Sequence, residues 1–124
     1  MNVLAIRIFG PILVLTGILG FVTPPDLALM SGAAPYNIFH LAFGGIALAI
    51  ALSGHDGAAR NFNLGFGLID LYQALASLLH LWPESVFQWT WADDVAHIAV
   101  GLVLVAVALL GGAPTPTSKN DGVS

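Results

Sequence analysis

Two histidines lie in a repeated pattern and are the chain's best candidates for chemistry. The pattern places an Asn or Asp three residues before the His and a Gly four residues after it: Asn37, His40 and Gly44, then Asp94, His97 and Gly101. Neutral imidazole binds metal ions readily and exchanges protons near neutral pH. Two such side chains on neighbouring helices could share a metal ion or ligate a haem.

A third histidine extends this metal hypothesis. His80 is expected at the same level as His40 and His97, and three histidines with a nearby carboxylate such as Glu84 would suffice for zinc or copper. The chain has no Cys and no His-x-x-x-His spacing, so the ligands would have to be brought together by the tertiary fold. We therefore expect no cofactor, with a metal ion or haem held by these three histidines as an alternative.

The same pattern also has a purely structural explanation. Asn37 and Asp94 are good N-cap residues, and a side chain at the third helical position can reach back to the cap. His40 and His97 would occupy that third position. Gly44 would then let a neighbouring helix approach closely one turn later, as would Gly101 in the second copy. Capping and packing account for every residue of the pattern, and we prefer them to a ligand site.

A second group of polar residues recurs at helical spacing between the two copies of the pattern. Its members share one helical face of an otherwise apolar segment: Asn63, Gly67, Asp70, Gln73, Ser77 and His80. Polar side chains within a membrane helix face the bundle interior or a protein partner, because lipid offers no hydrogen bonds. This polar stripe could serve hydrogen bonding between helices. It could also form a proton path with Asp70 as its central relay and His80 at its mouth.

The amino-acid composition indicates that lipid, rather than water, surrounds the folded chain. Of its 124 residues, 57% are hydrophobic and 8% are charged, whereas soluble domains carry about a quarter charged residues. Lipid must therefore cover most of the surface. The net charge of −4 argues against a nucleic-acid partner.

Four apolar segments have the length of membrane-spanning helices, which need about 17 to 25 residues. They cover residues 4–22, 36–53, 61–82 and 94–110. Prolines or glycines follow each segment and end the helices. The sequence predicts an all-α membrane protein with one four-helix domain over residues 1–112. The tail, residues 113–124, is rich in Pro, Thr, Ser and Gly, and we expect it to be disordered.

Orientation follows from the few positive charges. Arg7, Arg60 and Lys119 all fall on one side of the predicted bundle, which places both termini in the cytoplasm. The opposite interface then receives an aromatic belt, formed by Tyr36, Trp82, Trp89 and Trp91.

The two halves of the chain have matching residues at the ends of their apolar segments. The first and third segments end at proline, the second and fourth end at glycine, and both even-numbered segments begin with the histidine pattern. Two repeated helical hairpins would produce this arrangement.

The chain resembles a family of bacterial four-helix membrane proteins grouped as domain of unknown function number 4383. The resemblance rests on the two histidine patterns and on the segment Gly17-Ile-Leu-Gly20-Phe-Val. It covers most of residues 10 to 105. It implies the four-helix fold and supplies no biochemical activity. Asp70 and Gln73 are not part of the family pattern.

These observations favour a non-enzymatic, multi-pass protein of the bacterial cytoplasmic membrane. No serine-protease, phosphate-loop or zinc-protease motif is present. We expect a packing or interaction module whose partners are lipid and other membrane proteins or copies of itself. Conduction of protons or small solutes along the polar stripe is the first alternative, and metal or haem binding is the second.

Overall fold

A computed structural model describes residues 1–111, which form five α-helices and no strand. The helices are α1 (Asn2–Val22), α2 (Ala34–Ser53), α3 (Asp56–Leu79), the short α4 (Glu84–Phe87) and α5 (Trp91–Gly111). The predicted all-helical fold is confirmed. The tail predicted over residues 113–124 lies outside the described residues.

Four of these helices match the predicted membrane spans. The long helices α1, α2, α3 and α5 contain 21, 20, 24 and 21 residues, and each is long and apolar enough to cross a membrane. At a rise of about 1.5 Å per residue, even the shortest extends about 30 Å, which is the thickness of the hydrocarbon layer.

Two helix ends follow the predicted signals. Helix α1 ends at Val22, just before Thr23 and two prolines. Helix α2 ends at Ser53, just before Gly54, which adopts a left-handed conformation with φ 67° that glycine accepts without a steric cost. The signals for these two ends could therefore be read directly from the sequence.

Other helix bounds were predicted wrongly, by up to five residues. Helix α3 begins at Asp56 rather than at residue 61, because the His55 side chain caps it by accepting a hydrogen bond from the Ala58 N–H (3.0 Å). It ends at Leu79 rather than at residue 82, because His80 turns left-handed (φ 55°) before the chain reaches Pro83. Helices α1, α2 and α5 each begin two or three residues earlier than predicted.

The long helices pack as two antiparallel hairpins, α1 with α2 and α3 with α5. Glycines mark the closest approaches within each hairpin. A Cβ added at Gly44 would lie 2.8 Å from the backbone nitrogen of Val14, and one added at Gly101 would lie 2.9 Å from the backbone oxygen of Gly67. Gly44 and Gly101 therefore lie at close helix contacts, where small residues are needed.

The two ends of the bundle differ in composition. We call the end that carries Arg7 and Arg60 the basic end. The end formed by the two longer connections we call the aromatic end, and it carries Tyr36, Trp82, Trp89 and Trp91.

Asn2 and Asn63 join the hairpins at the basic end. Their exposed fractions are 1% and 0%, and the Asn63 Nδ2 donates to the backbone oxygen (3.2 Å) and to Oδ1 (3.0 Å) of Asn2. The Arg60 Nε donates to the backbone oxygen of Ala108 (2.8 Å). Helix α3 is thereby tied to α1 and α5.

Replacing Asn63 with Ala is expected to lower the free energy of unfolding by about 1–2 kcal/mol. The change removes two hydrogen bonds and strands buried polar groups of Asn2. Asn61→Ala on the exposed side of the same helix is the matched control and should change stability by less than about 0.5 kcal/mol. Unfolding in mixed detergent micelles, followed by circular dichroism, measures both. Equal losses would contradict a specific role for Asn63.

Apolar side chains fill the middle of the bundle. The apolar layer, as we call it, has the buried residues Leu13, Phe66 and Leu104 at its centre, with phenylalanines packed around them. The ring of Phe66 lies 5.2 Å from that of Phe43 and 5.4 Å from that of Phe62, measured between centroids. This layer separates the polar groups of the basic end from those of the aromatic end.

Candidate functional site

Asp93 is the centre of a buried polar network at the aromatic end. Its side chain is completely buried, and its Oδ1 accepts a hydrogen bond from the Tyr36 hydroxyl (2.6 Å). Its Oδ2 accepts from the backbone N–H groups of Ser31 and Thr90 (both 2.8 Å). We call these four residues the polar clasp: Ser31, Tyr36, Thr90 and Asp93. Ser31 and Tyr36 belong to the first hairpin and are hydrogen-bonded to Asp93 of the second.

Further hydrogen bonds hold the connections of the two hairpins against each other. The Ser31 hydroxyl donates to the backbone oxygen of Phe87 (2.5 Å). The Thr90 hydroxyl lies 2.7 Å from the backbone oxygen of Leu29 and 3.0 Å from the Asp93 Oδ2. The clasp thus joins the hairpins through both side chains and backbone, and its hydrogen bonds from Tyr36 and Ser31 to Asp93 are buried, where hydrogen bonds are stronger than in water.

The capping interpretation of Asn37 and Asp94 is wrong, because each helix begins three residues before them. Helix α2 begins at Ala34 with Pro35 in its first turn, where proline is well accommodated. Asn37 still contributes to the helix entry, since its Nδ2 donates to the backbone oxygen of Gly32 (3.3 Å).

The cap of α5 is supplied by Thr90 and Asp93 instead. The Asp93 N–H donates to the Thr90 Oγ1 (3.3 Å), while the Asp93 Oδ2 accepts from the Thr90 N–H. This reciprocal pair is a capping box. Asp94 is half-buried, and its Oδ1 has no hydrogen-bond partner among residues 1–111.

His40 and His97 are brought together inside the bundle. Their exposed fractions are 6% and 4%, their ring centroids lie 6.4 Å apart, and the ring planes differ by 15°. The His40 Nδ1 lies 2.8 Å from the backbone oxygen of Tyr36. A carbonyl accepts only, so this contact places a proton on Nδ1. Neither nitrogen of His97 has a hydrogen-bond partner among residues 1–111.

His80 does not join this pair, and its predicted place beside His40 and His97 is wrong. Its side chain is 79% exposed and lies 3.3 Å from the Glu84 carboxylate, because the left-handed turn at His80 takes it off the helical face. Among residues 1–111, no three His, Asp or Glu side chains are grouped so that they could hold a metal ion. The metal or haem hypothesis now concerns His40 and His97 and stays a prediction.

The rest of the polar stripe faces the interior, as predicted. Asn63, Asp70, Gln73 and Ser77 are at most 9% exposed. The stripe is not continuous, however. At Gly67 an added Cβ would lie 3.1 Å from the backbone oxygen of Gly101, so α5 packs directly on α3 between Asn63 and Asp70.

Gln73 lies at the level of His97. Gly67 and Leu71 both face Gly101 across the α3–α5 contact. Because the two helices are antiparallel, Gln73, which follows Leu71 in α3, lies opposite His97, which is one turn before Gly101 in α5. The Gln73 Oε1 and the Trp89 Nε1 lack hydrogen-bond partners among residues 1–111. The rings of Trp89 and His97 meet edge to face, with centroids 6.0 Å apart. The interior at the aromatic end therefore combines hydrogen-bonding side chains with apolar surroundings.

Sequence reasoning missed the main residues of the polar clasp. It placed Tyr36 and Trp89 in an aromatic belt at the interface, yet they are only 1% and 9% exposed. Trp82 and Trp91 are 77% and 72% exposed, as belt residues would be. The Thr90-x-x-Asp93 spacing before an apolar segment is a capping-box signal that could have located the start of α5.

The fold and the site define the class of this protein: a helical bundle with four helices long and apolar enough to cross a membrane and with polar side chains turned inward. No family model matches the chain, and neither a curated protein nor a solved structure similar to it is found.

Proposed function

We propose that this chain is a non-enzymatic, multi-pass protein of the bacterial cytoplasmic membrane that acts as an interaction module. It would associate through its outer helix faces with other membrane proteins or with further copies of itself. The observation that carries the proposal is the distribution of polar groups: those between the hairpins join them to each other, while the outer helix faces carry large apolar side chains.

The interior of the bundle favours a tightly packed protein over one that conducts protons. The apolar layer lies between the Asn2–Asn63 pair and the polar clasp. Along α3, the stripe is closed at Gly67 by direct contact with α5. A proton path needs hydrogen-bonding groups or water along its whole length, and these two features interrupt it.

The outer faces are the surfaces available to partners. Each long helix exposes large apolar residues, for example Leu15 (56%), Ile38 (58%), Leu75 (49%) and Leu109 (60%). Lipid tails are as apolar as these side chains, so a protein contact on such a face depends on shape and packing rather than on hydrophobicity.

Photocrosslinking in the native membrane tests the proposal. A photoreactive phenylalanine analogue would replace Leu15, Ile38, Leu75 or Leu109, one on each long helix. An interaction module is expected to give a discrete protein adduct at one or two of these positions and lipid adducts at the others. Lipid adducts alone at all four positions would contradict the proposal.

The hairpins are proposed to be repeated units. A shift of 57 positions relates buried residues of α2 to buried residues of α5: Tyr36 to Asp93, His40 to His97, Gly44 to Gly101, Ala47 to Leu104 and Ala51 to Ala108. The same shift relates Gly10 to Gly67 and Leu13 to Asp70, all of them buried. In this alignment Asp70 is a polar replacement of an apolar position.

Besides the repeat, we propose an orientation of the chain in the membrane and its membership of a family. Arg7 and Arg60 lie at the same end of the bundle, which supports cytoplasmic termini by the positive-inside rule. Membership of the family grouped as domain of unknown function number 4383 is supported by the two histidine patterns, whose glycines mark the helix contacts in both hairpins.

Proton transfer through Asp70 is the second candidate, favoured by one observation. Asp70 is 3% exposed near the middle of a membrane-length helix, where ionisable residues are costly and often functional. Because the stripe is interrupted, we expect proteoliposomes to show no proton flux above that of protein-free liposomes, and Asp70→Asn to change nothing. A pH-sensitive dye inside the vesicles measures the flux. Flux that is present with the wild type and lost in Asp70→Asn would establish the relay instead.

A further inference from the structure

A cavity of about 300 Å³ lies between the last turns of α1 and the connection to α2. Its lining has an apolar part, which includes Leu19, Leu27, Leu29 and Met30. It also has a hydroxyl-bearing part, consisting of Thr16, Thr23, Ser31 and Tyr36. The volume is at the lower end of the range for small-molecule sites, about 300–1,000 Å³.

The lining restricts the chemistry of a ligand. It contains no charged side chain, and Asp26 is the only charged residue in the connection between α1 and α2. A ligand with an ionised headgroup would therefore find no counter-charge in the cavity. The Thr16 hydroxyl donates to the backbone oxygen of Ile12 (2.8 Å), so it adds no free donor to the α1 side of the lining.

The position of the cavity indicates the source of the ligand. It lies at the end of a membrane-length helix, where acyl chains meet headgroups, and its lining extends from Thr16, six residues before the end of α1, to residues of the connection. We propose that the cavity binds an uncharged single-chain amphiphile from the bilayer, with its chain on the α1 side of the lining beside Leu19 and its headgroup hydroxyls at the end of the helix near Thr23. This site is separate from the outer helix faces of the proposed function.

The cavity also shares residues with the polar clasp. Ser31 and Tyr36 line it, and the same two residues hold Asp93 of α5. A ligand that binds this folded arrangement stabilises it by mass action. Binding of the amphiphile is therefore expected to strengthen the contact between the hairpins.

Photoaffinity labelling in phosphatidylcholine nanodiscs tests the proposal. The probe is a monoacylglycerol with a diazirine in its chain, and labelled residues are mapped by mass spectrometry. Gly32 lines the cavity, and a Cβ added there would meet no atom within 4 Å, so Gly32→Leu should fill the space without a clash. Gly45→Leu is the matched control, since Gly45 is exposed on α2, equally free of contacts and outside the lining.

Labelling is expected to concentrate on residues 16–32 and to fall about tenfold in Gly32→Leu, corresponding to a loss of about 1.4 kcal/mol in binding. Gly45→Leu should label like the wild type, and Ala28→Leu, which also fills the lining, should repeat the loss. Monolauroylglycerol should compete, whereas laurate at alkaline pH should not. The proposal would be overturned if labelling were spread uniformly over all four long helices, or if both Gly32→Leu and Ala28→Leu were labelled as strongly as the wild type. Competition by laurate equal to that by monolauroylglycerol would also overturn it.

Discussion

Replacing Asp93 with Ala is expected to lower the free energy of unfolding by about 3–5 kcal/mol, the largest loss expected of any side chain in the bundle. The carboxylate is completely buried and accepts hydrogen bonds from Tyr36, Ser31 and Thr90. Its removal leaves the Tyr36 and Ser31 donors without partners in a buried site and the Thr90 N–H without its partner in a part-buried one. Each unsatisfied buried donor costs about 1–3 kcal/mol. Detergent-micelle unfolding followed by circular dichroism measures the loss.

The neighbouring aspartate provides the control. Asp94 lies in the same helical turn, is half-buried and has an unpartnered Oδ1 within residues 1–111. Asp94→Ala should therefore change the free energy of unfolding by less than about 1 kcal/mol. Equal losses for the two variants would mean that Asp93 acts through its charge near the helix start rather than through the clasp.

Replacing Gly44 with Ala is expected to lower the free energy of unfolding by about 2–3 kcal/mol. The new Cβ would lie 2.8 Å from the backbone nitrogen of Val14 and 2.7 Å from its Cγ2, so α1 and α2 would have to move apart. Backbone atoms of a packed helix cannot give way as the end of a flexible side chain can. The same denaturation experiment measures the effect.

Gly45→Ala is the matched control one residue away. A Cβ at Gly45 meets no atom within 4 Å, and alanine is favoured over glycine in a helix by up to about 1 kcal/mol. This variant should be neutral or slightly more stable. In the second hairpin, Gly67→Ala should behave like Gly44→Ala, and Gly65→Ala like Gly45→Ala, because their surroundings differ in the same way. If all four variants had similar stability, close helix approach at glycine would not determine the packing.

The helices and their contacts were predictable because lipid imposes simple rules on sequence. A membrane helix needs about 20 apolar residues, and the four segments stand out for that reason. Gly44 and Gly101 recur at matching positions, and small residues are what close helix contacts require. The inward direction of Asp70 and Gln73 followed from the absence of hydrogen-bonding partners in lipid.

The polar clasp could not be predicted, because it depends on the path of two irregular connections. The backbone N–H of Ser31 reaches an aspartate 62 residues away, and no local spacing indicates such a pairing. Tyr36 and Trp89 have the composition of interface residues, and only the tertiary fold shows that they are buried. The repeat placed His40 and His97 at the same depth but did not decide whether their rings meet, whereas His80 was misplaced because a left-handed residue ends its helix early.

A double-mutant cycle on Tyr36 and Asp93 tests most directly whether the polar clasp joins the two hairpins. The free energy of unfolding would be measured for Tyr36→Phe, Asp93→Asn and the double variant. The hydroxyl and the carboxylate lie 2.6 Å apart in a buried site. The predicted coupling energy is therefore about 1.5–3 kcal/mol, in the range of hydrogen bonds to charged groups. Losses that add within about 0.5 kcal/mol would contradict the clasp.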